Sequence, residues 1–410
     1  MNAIHPSPNK AERKALNIGL LWHSFYSDNL GVGALTVANA RLIAEAAEAH
    51  GFAPQFHVIG SRGGCDYSAE CGYPTSFTNV GYKAMLNPLS ALHRRLRACD
   101  IIFDIGGGDS FSDIYPWSRL RLILASKFAA RLAGTALVLS PQTIGPFHTR
   151  KARLAARAAM AMARHVFARD EASFALLDEL GMGGKASLTT DVAFALPFTP
   201  PADKQTRDLA HGPIKVGLNV SGLLFRRDLS RGDRIALADD YPALIGALID
   251  RLLSHPRVEL HLVPHVIPAH APYEDDYAVA ETLRRDHPRL VLPPRFSGPS
   301  QAKSYIAGLD LFMGSRMHAT IAALSSGTAV VPLGYSRKFT GLFGSLGYRW
   351  NADLTCDDNA TILAKVEAAL DNLPAVRAEA EAANAEAQRR LGAYRAFLDQ
   401  TLAGLRLHHA

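Results

Sequence analysis

Hydrophobic residues along this chain fall into short continuous runs that alternate with longer stretches in which apolar positions recur at helical spacing. Leu16 to Trp22 is the first such run, and a loop through Gly31 and Gly33 leads from it into a helix predicted from about Ala34 to His50, a βα unit. Further strands are predicted at Gln55 to Ile59, Asp100 to Ile105, Ala136 to Ser140 and His165 to Ala168, separated by helices such as Trp117 to Ala133 and Arg150 to Arg164. Strands apolar on both faces, alternating with helices, predict a parallel sheet covered on both sides.

The segment from Leu196 to Pro213 is rich in proline and polar residues and poor in periodic apolar signal, which reads as a linker. The pattern then restarts. Strands are predicted at Ile214 to Asn219, Val258 to Val263, Leu290 to Leu292, Asp310 to Gly314 and Ala329 to Leu333, with helices at Tyr241 to Ser254, Ser300 to Gly308, His318 to Ser326 and Thr361 to Leu370. The Ala/Glu/Arg-rich tail from about Ala375 to His408 suits one or two closing helices packed back on the first domain. The expected organisation is an N-terminal α/β domain over 1–200, a linker over 201–213, a second α/β domain over 214–374 and C-terminal helices over 375–410. Two such domains face each other across a cleft, and 410 residues exceed one ordinary core.

Composition narrows the class. With 48% hydrophobic and 20% charged residues and 32 glycines the chain is globular and enzyme-like, not fibrous or disordered. Its four cysteines show no CxxC pair or zinc spacing, and neither a signal peptide nor an apolar run of about 18 residues stands out, so a reducing cytoplasm is the expected compartment. A net charge of +6 favours anionic partners. The basic residues lack the aromatic interleaving of a nucleic-acid surface, so nucleic acid is excluded in favour of phosphorylated small molecules or an anionic membrane. The densest basic cluster, His93-Arg94-Arg95-Leu96-Arg97 with Arg119 and Arg121, offers peripheral membrane contact, although a solvated helix face explains such clusters more often.

The candidate chemistry sits in the loops that follow predicted strands. Phe312-Met313-Gly314-Ser315-Arg316-Met317-His318-Ala319 places an arginine and a histidine two residues apart where a strand gives way to a helix, a place to bind an anion and move a proton. Tyr335-Ser336-Arg337-Lys338 follows the next strand and adds positive charge. Asn29-Leu30-Gly31-Val32-Gly33 opens the first helix, where backbone amides cradle a phosphate or sugar or simply form a tight turn; Thr36 interrupts the dinucleotide fingerprint. In Asp104-Ile105-Gly106-Gly107-Gly108-Asp109 the glycines let backbone N–H groups approach a ligand and Asp109 can accept from sugar hydroxyls, with a capped glycine turn as the equal alternative. Gln142 is a further candidate for the same cleft, where structural punctuation is the cheaper explanation. Arg226 and Arg227, after the first strand of the second domain, suit a phosphate or carboxylate, and His265 lies just past another strand. His261, His265 and His270 do not make a convincing zinc set, because Pro264 and Pro268 break any helix between them.

Taken in order, these segments resemble the polysaccharide pyruvyl transferase family: Asn29-Leu30-Gly31, Asp104 to Gly108, Gln142-Thr143-Ile144-Gly145-Pro146, Arg169-Asp170-Glu171-Ala172-Ser173, Asp191-Val192-Ala193-Phe194, His265, Ser315 to Ala319, and Tyr335 with Lys338. The resemblance implies two Rossmann-like domains similar to the GT-B glycosyltransferases and transfer of pyruvate from phosphoenolpyruvate to sugar hydroxyls, giving a ketal. It also implies that Arg316 and His318 bind the donor and catalyse the transfer. On that reading Arg316, Arg226 or Arg227, and Lys338 hold the donor's anionic groups, His318 moves the proton, the acceptor is a sugar or lipid-linked oligosaccharide, and no metal or other cofactor is required. A nucleotide-sugar glycosyltransferase on the same fold is the alternative, although no ribose or base signature is evident. A non-catalytic partner in glycan assembly is the third reading.

Overall fold

The structure is a computed structural model and describes residues 13–202, 211–226, 235–268 and 272–409. Arg227 and His270 lie outside the described residues, as do the middle of the expected linker and the side chain of Lys338. Among the described residues, twelve strands form two wholly parallel sheets. The first sheet has the order β3-β2-β1-β4-β5-β6-β7 and comprises β1 (Lys14–Leu21), β2 (Phe52–Gly60), β3 (Thr75–Asn79), β4 (Ile101–Asp104), β5 (Ala136–Gln142), β6 (His165–Ala168) and β7 (Ala186–Leu188). The second has the order β12-β11-β10-β8-β9, from β8 (Ile214–Asn219), β9 (Val258–Leu262), β10 (Leu311–Gly314), β11 (Ala329–Gly334) and β12 (Ala352–Asp353).

The helices are α1 (Leu30–Ala49), α2 (Tyr82–Leu86), α3 (Ala91–Arg97), α4 (Trp117–Leu132), α5 (Arg150–Ala161), α6 (Glu171–Glu179) and α7 (Gly222–Phe225), then α8 (Tyr241–Ser254), α9 (Asp276–Asp286), α10 (Pro299–Ala307), α11 (Met317–Ser325), α12 (Arg337–Ser345), α13 (Asn359–Asp371) and α14 (Leu373–His409). In the first sheet the winding reverses at β1, which pairs with both β2 and β4; in the second it reverses at β8, between β9 and β10. Neighbouring crossovers leave on opposite sides at such a point, so a crevice opens beyond the carboxyl ends of the strands. The segments singled out from the sequence end β1, β4, β8 and β10.

Helices α2 to α5 pack on one face of the first sheet around Leu21, Ile59, Ile102 and Leu139. The opposite face, carrying Phe56, Phe103 and Phe167, is covered by α1 and α14 and shares one continuous core with Phe312, Ile321 and Val330 of the second lobe. Helix α1 is long and apolar enough by length and composition to cross a membrane, contrary to the expectation that no such run occurs. It is nonetheless 78% buried in the protein and serves as this core helix. α14 reaches it across the chain: the Tyr394 hydroxyl donates to Asn39 Oδ1 at 2.8 Å and lies 3.1 Å from Ser140 Oγ, while Asn39 Nδ2 lies 2.9 Å from His23 Nε2. Burial drives the His23 pKa down to about 3, so the ring is neutral; its Nδ1–H donates to the Leu21 carbonyl and Nε2 accepts from Asn39.

The structure departs from the expected elements in physical ways. Leu290 to Leu292 forms only an isolated bridge from Val291 to His261, because Pro293 and Pro294 follow it and lack the N–H groups a ladder needs. The strands the pattern missed, β3, β7 and β12, are short edge strands with little fully buried surface and hence a weak apolar signal. The tail is a single 37-residue helix.

The start of the segment after Leu196 packs against α10. Lys303 on α10 is buried and donates to the Leu196 carbonyl at 2.9 Å beneath the Phe198 ring, and Thr199 N donates to Ser304 Oγ. Burial without a carboxylate partner lowers the Lys303 pKa from 10.5 to about 7. The unfolded chain therefore holds a proton between pH 7 and 10.5 that the folded chain does not, and stability rises with pH across that window. Lys303→Met is expected to raise the unfolding free energy measured by urea denaturation at pH 6 by an amount on the order of 1–3 kcal/mol, with the advantage shrinking by pH 9; an advantage independent of pH would contradict a titrating Lys303.

Candidate active site

The two lobes meet through the loops that leave their sheets. Asn29 pairs with Val266 as an antiparallel bridge, Leu30 N donates to the His265 carbonyl at 3.1 Å, and Ile267 N donates to the Asp28 carbonyl at 3.0 Å. Asn29 also caps α1, its Oδ1 accepting from Gly31 N at 2.9 Å. Beside this seam a cleft of about 530 Å³ is lined from the first lobe by Trp22, Ser24, Asp28, Gly107 and Ser110, and from the second by Val266 and Glu274.

Arg316 caps α11 directly after β10, and its guanidinium is already paired within the second lobe. Nη2 and Nε converge on the Asp276 carboxylate at 2.8 and 3.2 Å, and Nη2 also donates to the Glu274 carbonyl at 3.1 Å. Asp276 is buried and accepts from Gly222 N, His265 N, Val266 N and, at 3.4 Å, Asn219 Nδ2. Asn219 Oδ1 in turn accepts from Arg316 N at 2.9 Å. Burial opposes the Arg316 charge, but Asp276 more than offsets it and holds its pKa above the usual arginine value. The pair therefore ties the ends of β8, β9 and β10 to the start of α9. Nη1 takes no part in these bonds and is the one edge of the fork they leave.

His318, in the first turn of α11, crosses to the first lobe. Its Nδ1 packs against the Cα of Gly31, where a Cβ would overlap the ring, and its Nε2 lies 3.7 Å from Asp191 Oδ2, at ion-pair and not hydrogen-bond distance. Asp191 is fully buried, a position that disfavours its charge, but Arg169 Nη1 at 2.7 Å and His318 lower its pKa to about 2. Arg169 is oriented by its Nε bond to Thr143 Oγ1. The result is an ionised carboxylate behind the histidine. His265 is buried nearby with neither ring nitrogen bonded; burial, then His318 and Arg316, push its pKa down to about 3, so it is a neutral imidazole.

The glycine loop after β4 has Gly106, Gly107 and Gly108 all at positive φ, between 54° and 88°. That run is open to glycine and strained for other residues. Beneath it Asp104 accepts from Gly106 N at 2.7 Å and pairs with the fully buried Lys127 at 2.6 Å. Gln142 is also beneath it: Nε2 donates to the Asp104 carbonyl and Oε1 sits where a Gly106 Cβ would stand. Gln142 thus supports the loop from inside and does not line the cleft, since β5 ends within the core. Asp109 accepts from the Tyr115 hydroxyl at 2.9 Å. Tyr335 is half-buried between Arg316 and Asp109, and burial raises its pKa.

Two further candidates fall elsewhere. Ser315 is buried with Oγ 2.9 Å from the Tyr241 hydroxyl, so β10 and α8 consume it. Arg226 is exposed at the end of α7 and is not among the residues lining the cleft. Sequence reasoning gave Asp276 no role beyond starting a helix and singled out neither Asp191 nor Arg169 for a role. Each is a charge at the end or start of an element, a position that reads equally well as ordinary capping until its partner across the fold is known.

A parallel two-lobed fold with ligand crevices facing across a seam is the GT-B architecture. Anabaena HepE in complex with UDP-glucose superposes over 95% of this chain and 99% of its own with a TM-score of 0.53 at 15% identity. A putative UDP-N-acetylglucosamine 2-epimerase from Listeria monocytogenes covers 94% and 97% with a TM-score of 0.58 at 14% identity. Both likenesses are of fold. In sequence, the polysaccharide pyruvyl transferase model matches residues 22–337, so the chain belongs to that family and is a transferase. The amylovoran biosynthesis protein AmsJ of Erwinia amylovora is 24% identical over 308 residues, 72% of this chain and 71% of its own length.

Asp276→Asn is expected to destabilise the fold by about 3–5 kcal/mol in urea denaturation, because it leaves the buried Arg316 charge uncompensated; a cost under about 1 kcal/mol would remove the pair from its central place. Gly31→Ala is expected to shift the His318 imidazole resonances, assigned by comparison with His318→Gln, while moving Tm by only a few degrees, because alanine suits the helix and only the ring is displaced. Unshifted resonances would show that the ring does not rest on Gly31.

Proposed function

We propose that the chain transfers the pyruvyl group of phosphoenolpyruvate to two hydroxyls of a sugar in a cell-surface or exopolysaccharide precursor, working in the cytoplasm. The observation that carries the reading is His318 held between Gly31 and Asp191 at the seam of the two lobes. Pyruvyl transfer needs a proton delivered to the methylene carbon of the donor. A hydroxyl then attacks the adjacent carbon, the bond from that carbon to the phosphate oxygen breaks, and a second hydroxyl closes the ketal. Of the two hydroxyl protons, one in net terms ends on the new methyl group and the other leaves with phosphate. An imidazolium backed by ionised Asp191 suits the first step, and the neutral ring that remains suits uptake of a hydroxyl proton.

The donor's anionic groups fit the N-terminus of α11, where the helix dipole favours negative charge, more readily than the Arg316 guanidinium, which is already paired with Asp276. Neutral His265 adds a hydrogen-bonding ring beside them. The acceptor sugar fits the first-lobe cleft, where Asp28, Ser24 and the Gly107 backbone offer hydrogen bonds and Trp22 offers a ring face.

Calorimetric titration tests this reading. Phosphoenolpyruvate is expected to bind saturably and UDP-sugars not to bind. His318→Gln is expected to hold phosphoenolpyruvate within about threefold of wild type while phosphate release falls about 100-fold or more. Saturable binding of a UDP-sugar alone would move the assignment to glycosyl transfer. Arg316→Ala is a poor discriminator, since its loss of binding would follow from a broken scaffold.

A further inference from the structure

Among the described residues, every exposed large hydrophobic side chain lies on one face of the first lobe: Leu86 and Leu89 are 73% and 77% exposed, Leu132 and Leu154 80% and 58%, with Tyr82, Ile114 and Phe128 beside them in sequence. They ride on α2, α4 and α5 and the adjoining loops, the layer whose inner side packs on the sheet and whose outer side carries these exposed residues. Scattered single apolar residues need no explanation, but their confinement to one layer does.

The charge of that layer is equally one-sided. α2 carries one lysine or arginine, α3 three, α4 four and α5 four, and none of the four helices holds an aspartate or glutamate. Only Lys127 among these cations is buried. Several of the others are interleaved with the apolar positions. Arg94 and Arg97 donate to the Leu89 and Pro88 carbonyls and so hold up the loop that presents Leu89, while Arg121 lies over the Tyr82 ring at 5.3 Å.

We infer that the outer face of α2 to α5 docks on an anionic lipid bilayer, its leucines entering the headgroup boundary and its lysines and arginines meeting lipid phosphates. Apolar burial and attraction to anionic lipid are the two terms that hold a protein at an interface, and both are supplied here on one surface. Charge complementarity selects the occupant, because a second copy of this chain would bring the same positive face to the contact, where among the described cations Arg153 is paired with Glu179 of α6. α4 joins this face to the cleft: Arg119, Leu122 and Ile123 of the same helix line it. Docking therefore sets the cleft mouth beside the bilayer, where the sugar of a lipid-linked acceptor would be presented.

Sedimentation of the full chain with phosphatidylglycerol–phosphatidylcholine vesicles, and with phosphatidylcholine alone, reads this without any reaction, so its failure leaves the pyruvyl-transfer reading standing. Binding is expected to the anionic vesicles only and to weaken with salt. It is expected to fall more than about tenfold both in Leu89→Ser/Leu132→Ser and in Arg131→Glu/Arg150→Glu, with Tm unchanged because all four side chains are exposed. Absence of binding at low salt, or equal binding by wild type and both variants, overturns the inference. So does concentration-dependent dimerisation in lipid-free buffer that Leu89→Ser/Leu132→Ser abolishes, which would assign the face to a second copy.

Discussion

The Asp276 carboxylate gathers donors from three separate segments: Gly222 N after β8, His265 and Val266 N after β9, and the Arg316 guanidinium after β10. A buried carboxylate is costly unless paired and fully hydrogen-bonded, and here both conditions are met at once. Because each donor belongs to the end of a strand, satisfying the charge fixes how the three loops stand relative to one another. The same His265 loop then pairs with Asn29 and Leu30, so the position of the second lobe's loops also sets the seam with the first.

From that seam the chemistry follows in order. His318 is carried by α11, whose start is set by the Arg316 bonds, yet its ring is placed by Gly31 and faces Asp191, both of the first lobe. Neither lobe alone holds the imidazole between a carboxylate and a glycine. The electrostatics differ from those suggested by counting cations: the most prominent arginine is neutralised by Asp276 and a second, Arg169, by Asp191. In a site built this way the two arginines are already paired with carboxylates, and the histidine stands between the lobes without a hydrogen-bond partner on Nε2.

The rest of the first lobe supports its cleft from two sides. Under the glycine loop, Asp104, Lys127 and Gln142 supply the bonds that hold three consecutive positive-φ residues in place. Behind the sheet, Tyr394 from the C-terminal helix joins Asn39, Ser140 and neutral His23 in a buried network. The outer layer of α2 to α5 is different in kind, since its buried side is ordinary core and its exposed side is apolar and uniformly basic.

Sequence alone determined much of this protein. Continuous apolar runs marked nine of the twelve strands closely enough to place the loops after β1, β4, β8 and β10, and the order of motifs in those loops identified the family, because strand-end positions and glycine turns are written locally. Edge strands such as β12 escaped notice, since half-buried surface leaves little apolar pattern. What only the tertiary structure decided is which charges meet. Arg316 and Asp276 are 40 residues apart and Arg169 and Asp191 22, and no periodicity encodes such pairings. Gln142 and Ser315 read as ligand contacts for the same reason: their strands end inside the core, a fact of three-dimensional packing that one dimension of sequence does not carry.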